Sequence, residues 1–114
     1  MIEVTVREQL QFLLEGTEVH MQVPSPMPET DFVVLEKTGS DRSEHLNHSM
    51  IAVQSYGVSL YRAAVLNDLV KEAMFRLPEK DNGVTACYLN SDYNYTDTAS
   101  KRYRYQAVFD VYHY

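Results

Sequence analysis

His45-Leu-Asn-His48 is the one histidine pair in the chain with the spacing of metal ligands. A zinc-type site needs further histidine or carboxylate ligands close by, and only Glu44 is near in sequence. The pair reads instead as solvated residues where a loop enters a strand, and no metal or cofactor is expected. His20 and His113 have no matched partner and are read as surface or strand-face residues. Cys87 is the only cysteine, which excludes an intramolecular disulfide and a cysteine zinc site. Nothing cationic flanks it, so a small buried hydrophobe is expected rather than a reactive thiol. The serines lack a Gly-x-Ser-x-Gly elbow, and the four glycines are too scattered for a phosphate-cradling loop. Carboxylates are plentiful, but none forms a recognisable acid/base pair, and no enzymatic activity is expected.

Lys101-Arg-Tyr-Arg-Tyr105 interleaves basic and aromatic residues in a way that can clamp and stack single-stranded nucleic acid. The simpler reading is the start of a strand, with Tyr103 and Tyr105 on one face and Arg102 and Arg104 on the other. A net charge of −6 over 114 residues favours the simpler reading, since phosphate binding needs clustered Lys and Arg. The charge is uneven. Glu3, Glu8, Glu15, Glu18, Glu29, Asp31 and Glu36 face Arg7 alone in the first 36 residues, while Asp110 is the only acid from position 98 onward. An acidic first third and a basic last stretch could meet head to tail between copies, a heterologous contact that closes into rings.

The length suits one domain spanning 1–114, with the composition of an ordinary globular protein. The N-terminus lacks the pattern of a signal peptide, and no window approaches the ~18 apolar residues of a membrane span, so a cytosolic protein without membrane partners is expected.

Helical spacing of Val6, Leu10, Leu13 and Leu14 predicts a helix over Thr5–Glu15, with Thr5 and Glu8 as a capping box and Gly16 ending it. Alternation predicts a strand over Glu18–Val23, closed by Pro24-Ser-Pro-Met-Pro28. Phe32-Val-Val-Leu35 marks a central strand within Asp31–Lys37, and Thr38–Glu44 reads as a loop by composition. A third strand is expected over His48–Tyr56. A second helix follows, capped by Ser59, striped by Ala63, Leu66, Val70, Ala73, Met74 and Leu77, and stopped at Pro78. Strands over Val84–Ser91 and Tyr103–Tyr112, joined by a long polar connection, complete the order α-β-β-β-α-β-β. The fold class is α+β, two helices packed on a mainly antiparallel or mixed sheet. Phe12, Tyr61, Val65 and Phe75 lie off the core stripes, which implies either that the helices also pack on each other or under the long loops, or that these residues form a subunit interface.

These elements resemble, in order, spacing and total length, the small tail-terminator (tail-completion) proteins of long-tailed bacteriophages and prophages. The likeness is carried by the N-terminal helix, Phe32-Val-Val-Leu-Glu-Lys-Thr-Gly39, Ser49-Met-Ile-Ala-Val-Gln-Ser-Tyr56, the helix Tyr61–Val70, and the ending Asp97–Tyr112. The resemblance implies a structural subunit that acts as a ring, a hexamer, at the head-proximal end of the tail tube. There it would stop tube polymerisation and offer a surface to head-completion or connector proteins. Its partners would be copies of itself, the major tail tube protein and a connector protein; its place would be the host cytoplasm during assembly, then the virion tail. The alternatives are another head–tail connector or minor tail protein, or a small nucleic-acid-binding module using Lys101–Arg104. Interface residues are expected at Phe12 and Phe75 on the helices, and at Lys37, Arg42, Lys101, Arg102 and Arg104 in loops or strand starts.

Overall fold

A computed structural model describes residues 1–99 and 102–114. The elements run α1 (Ile2–Leu13), β1 (Glu18–His20), β2 (Phe32–Ser43), β3 (Leu46–Gly57), α2 (Leu60–Phe75), α3 (Leu77–Lys80), β4 (Val84–Asn94) and β5 (Tyr103–His113). The fold is mixed α+β in the expected order, with one short extra helix. A single five-stranded sheet has the order β1-β2-β3-β5-β4, so the last strand to be made inserts beside the centre. Only β1 and β2 pair in parallel; the other ladders are antiparallel.

Both long helices cover one face of this sheet. Because side chains alternate along a strand, Val33, Leu35, Ile51, Val53, Ala107, Phe109 and Val111 all point to that face. They join Val6, Leu10, Leu14, Leu66, Val70, Met74 and Leu77 from the helices in one core. On the other face Phe32, Val34 and Tyr56 form a small second cluster, with the Phe32 and Tyr56 rings stacked 4.5 Å apart.

Several boundaries differ from expectation. The first helix begins at Ile2, so Thr5 lies inside it and no capping box with Glu8 forms; the Thr5 hydroxyl donates to the Met1 carbonyl. Ile2 thereby adds a turn to the buried stripe. The first strand stops at His20, leaving Met21 and Val23 exposed. The polar run Thr38–Ser43 is strand, not loop, because each of its residues from Gly39 onward finds a partner on β3. A bulge at Thr38 shifts the register there. The turn is two residues, Glu44 (φ 49°) and His45 (φ 73°). Both adopt the left-handed region that a right-twisted two-residue hairpin requires, although neither is glycine. The second helix ends at Phe75, before Leu77–Lys80 forms its own turn, and β4 continues to Asn94.

Cys87 packs partly buried against the main core, as expected of a small hydrophobe. Burial, helped by the Asp110 charge, pushes its thiol up to about 12. Iodoacetamide at pH 8 should therefore label the native protein about a hundredfold more slowly than the urea-unfolded chain, since the thiolate is the nucleophile. Equal rates, read by mass spectrometry, would contradict that packing.

Candidate interaction surfaces

The second helix carries an exposed apolar ridge. Tyr61 (76% exposed), Val65 (39%) and Leu69 (53%) lie at successive four-residue steps, which places them one above another on a helix. The opposite side of the same helix buries Ala63, Leu66, Val70 and Met74. A shallow groove of about 170 Å³ runs beside the ridge, lined by Thr17, Asp31, Arg62, Val65, Leu66 and Leu69.

Two polar clamps hold this helix. At its start the Ser59 hydroxyl accepts from the Arg62 amide, the expected N-cap. Asp31 accepts from the Val58 amide (3.0 Å) and from the Arg62 guanidinium at Nε (2.9 Å) and Nη2 (2.6 Å). At mid-helix Asp92 of β4 accepts from Asn67 Nδ2 (2.7 Å) and Lys71 Nζ (2.6 Å). The bond to Asp92 is the main reason the Lys71 ammonium is held above its ordinary pKa, with Asp68 adding to it and burial opposing. Asn67 is 2% exposed, so that pairing satisfies an amide donor otherwise cut off from water. A ridge so fixed pays little ordering entropy on association.

The uncovered sheet face is polar and aromatic. Gln54 donates to Gln106, which donates to the Tyr93 hydroxyl, and the Tyr56 hydroxyl donates to Gln54. His48, on β3, lies between Asp41 of β2 and Asp110 of β5, its ring stacked 4.8 Å from Tyr112. Tyr88 (61% exposed) meets Tyr112 edge-on.

The expected interface residues fall in different places. Phe12 is 73% exposed on α1. Phe75 is 44% exposed but also meets the core ring of Phe109 edge-to-face at 6.1 Å, so part of its apolar surface is already used within the fold. Lys37 and Arg42 are exposed within strand β2, not in a loop, and neither has an ion-pair partner among the described residues. Lys101 lies outside the described residues. Register places Tyr103 and Tyr105 opposite Gly57 and Ser55, and Arg104 opposite Tyr56, so the expected alternation of faces holds.

The arginines are not a free cationic clamp. The Arg104 guanidinium lies over the Tyr95 ring (4.4 Å) and the Tyr56 ring (5.7 Å), donates from Nε to the Tyr95 carbonyl and from Nη1 to the Tyr56 hydroxyl. It ties β5, β3 and the β4–β5 connection together. The Arg102 guanidinium sits 5.6 Å over Phe32, with Nε and Nη2 buried and without a hydrogen-bond partner among the described residues.

Leu69 completes the ridge and was not singled out by sequence reasoning, although its four-residue step from Val65 was there to read. The spaced pair His45 and His48 splits: His45 occupies the hairpin turn, and His48 is engaged by carboxylates. Among the described residues, no group of three or more His, Cys, Asp or Glu side chains is placed to hold a metal ion. No described helix is long and apolar enough to cross a membrane.

Comparison with known proteins finds no family model that matches this chain. No curated protein matches it either.

Proposed function

We propose that this chain is a non-enzymatic virion assembly subunit, a tail terminator that caps the tail tube of a long-tailed phage or prophage as a ring of subunits. The observation that carries the reading is the clamped ridge Tyr61–Val65–Leu69. A small domain that displays three stacked apolar side chains on a helix held at two points is suited to association. The resemblance of the order and spacing of elements to tail terminators is what supports this choice of assembly. In a ring the ridge of one subunit would meet a different surface of the next, such as the polar, aromatic sheet face. Heterologous contacts of that type close into rings when their rotation closes.

Sheet edges are poor candidates for the contact. The outer edge strand β4 is interrupted by bulges at Thr85 and Asn90, and the part of β2 beyond β1 by one at Thr38. Bulged edges resist continuous strand addition. A nucleic-acid module is less well supported, because Arg104 spends its guanidinium on its own chain.

Electron microscopy of particles from a host phage or prophage lacking the gene tests the reading. Overlong, headless tails, restored to normal length by the purified protein, are the expected result. Normal tails and intact virions without the gene would overturn it.

A further inference from the structure

We infer that His48 is an imidazolium latch that pins the outer part of β2 to the centre of the sheet and releases it on deprotonation. The inference stands apart from the ring reading. His48 Nδ1 lies 2.9 Å from Asp41 Oδ2, and Nε2 lies 2.7 Å from Asp110 Oδ1. An ionised carboxylate only accepts, so both ring nitrogens must donate, and imidazole has two N–H groups only as the cation. A neutral ring would turn one lone pair toward a carboxylate.

The surroundings favour the cation from each neighbouring strand. Asp41 stands directly opposite His48 on β2, and Asp110 comes from β5 on the other side. The Tyr112 ring, also from β5, stacks on the imidazole at an interplanar angle of 19°, and Tyr88 of β4 abuts Tyr112. Asn90 of β4 donates to the second oxygen of Asp110. Hydrogen bonds to Asp41, then Asp110, outweigh partial burial and hold His48 above its ordinary value of 6.5.

The element held is supported from one side only. β1 ends opposite Val34, so β2 from Leu35 onward has β3 as its only neighbour strand, with a bulge at Thr38. When His48 loses a proton, the remaining N–H stays with Asp110, whose side chain is 21% exposed. Asp41, 72% exposed, is the one that water can take over. Since the folded value is raised, the latch contributes fully below the unfolded pKa and is lost as pH rises through the folded one.

Nitrogen-15 histidine NMR between pH 5 and 9 tests this on the whole chain, together with hydrogen exchange of amides 39–46 corrected for intrinsic rate. The expected result is that His48 carries protons on both nitrogens at neutral pH and titrates above its own value in the urea-unfolded chain. Protection of amides 39–46 should then fall several-fold through that same titration. Asp41→Asn, at an exposed side chain, should flatten the dependence. Titration of His48 at its unfolded-chain value, or protection that does not change through the titration of His48, would overturn the proposal.

Discussion

Gly57→Ala is expected to destabilise the protein by about 3 kcal/mol or more, a large share of the roughly 5–15 kcal/mol by which an ordinary domain is stable. Gly57 ends β3 two residues before the Ser59 cap. A Cβ there would lie 2.4 Å from the Ala63 nitrogen, 2.8 Å from the Ala63 Cα and 2.9 Å from the Arg62 carbonyl carbon. These are backbone atoms of the first helical turn, so no rotamer change relieves the clash. The helix must move off the sheet, and with it the Ser59 cap and the Asp31 bonds to Val58 and Arg62. Gly39→Ala is the matched control: its Cβ would meet only Met50 Sδ at 3.9 Å, an ordinary contact. Urea denaturation of both variants decides the matter. If Gly57→Ala unfolds within about 1 kcal/mol of the parent, β3 and α2 do not approach as described.

Under the proposed tail-terminator function, Tyr61→Ala combined with Leu69→Asp is expected to abolish tail-length complementation while leaving the subunit folded. Both side chains are mostly exposed, so each change should alter stability by about 0.5 kcal/mol or less. At an interface the same pair acts differently. A tyrosine anchor typically contributes about 2 kcal/mol, roughly thirtyfold in affinity, and a buried unpaired aspartate adds a desolvation cost. A ring repeats the loss at every contact. The measurement is electron microscopy of tails complemented with the variant, beside thermal unfolding of the purified protein. An unchanged melting temperature with overlong tails is the expected outcome. Full complementation by the variant would remove the ridge from the subunit contact and leave the sheet face as the surface to test.

Helix α2 was legible nearly residue by residue. Ala63, Leu66, Val70, Ala73 and Met74 are all buried and Ser59 caps the helix, while Leu77, also buried, begins the next short helix. Those signals are local, since each depends on neighbours within one or two helical turns. The start of α1 was misread for a related reason. Thr5 and Glu8 have capping-box spacing, but a threonine inside a helix can bond back to the carbonyl four residues earlier, as Thr5 does to Met1. The polar run Thr38–Ser43 has loop composition, and it becomes strand because β3 supplies a ladder partner across a turn that lacks glycine.

The arginine cluster shows the same limit at the candidate surface. Alternation correctly put Arg102 and Arg104 on one face, yet whether they were free depended on Phe32, Tyr56 and Tyr95, two of them far away in the chain. His48 likewise read as a solvated residue beside His45, whereas the fold brings Asp110, 62 residues on, within 2.7 Å of it. From its residues alone, the chain determined the α+β class, the order of its main elements, the buried stripes of both helices and the oddness of Tyr61 and Val65, because periodicity is written in near neighbours. The tertiary structure alone decided the parallel β1–β2 pair, the insertion of β5 between β3 and β4, the clamps on α2 and the latch at His48. Each joins groups distant in sequence whose meeting no local pattern encodes, and it is packing of the whole chain that brings them within hydrogen-bonding reach.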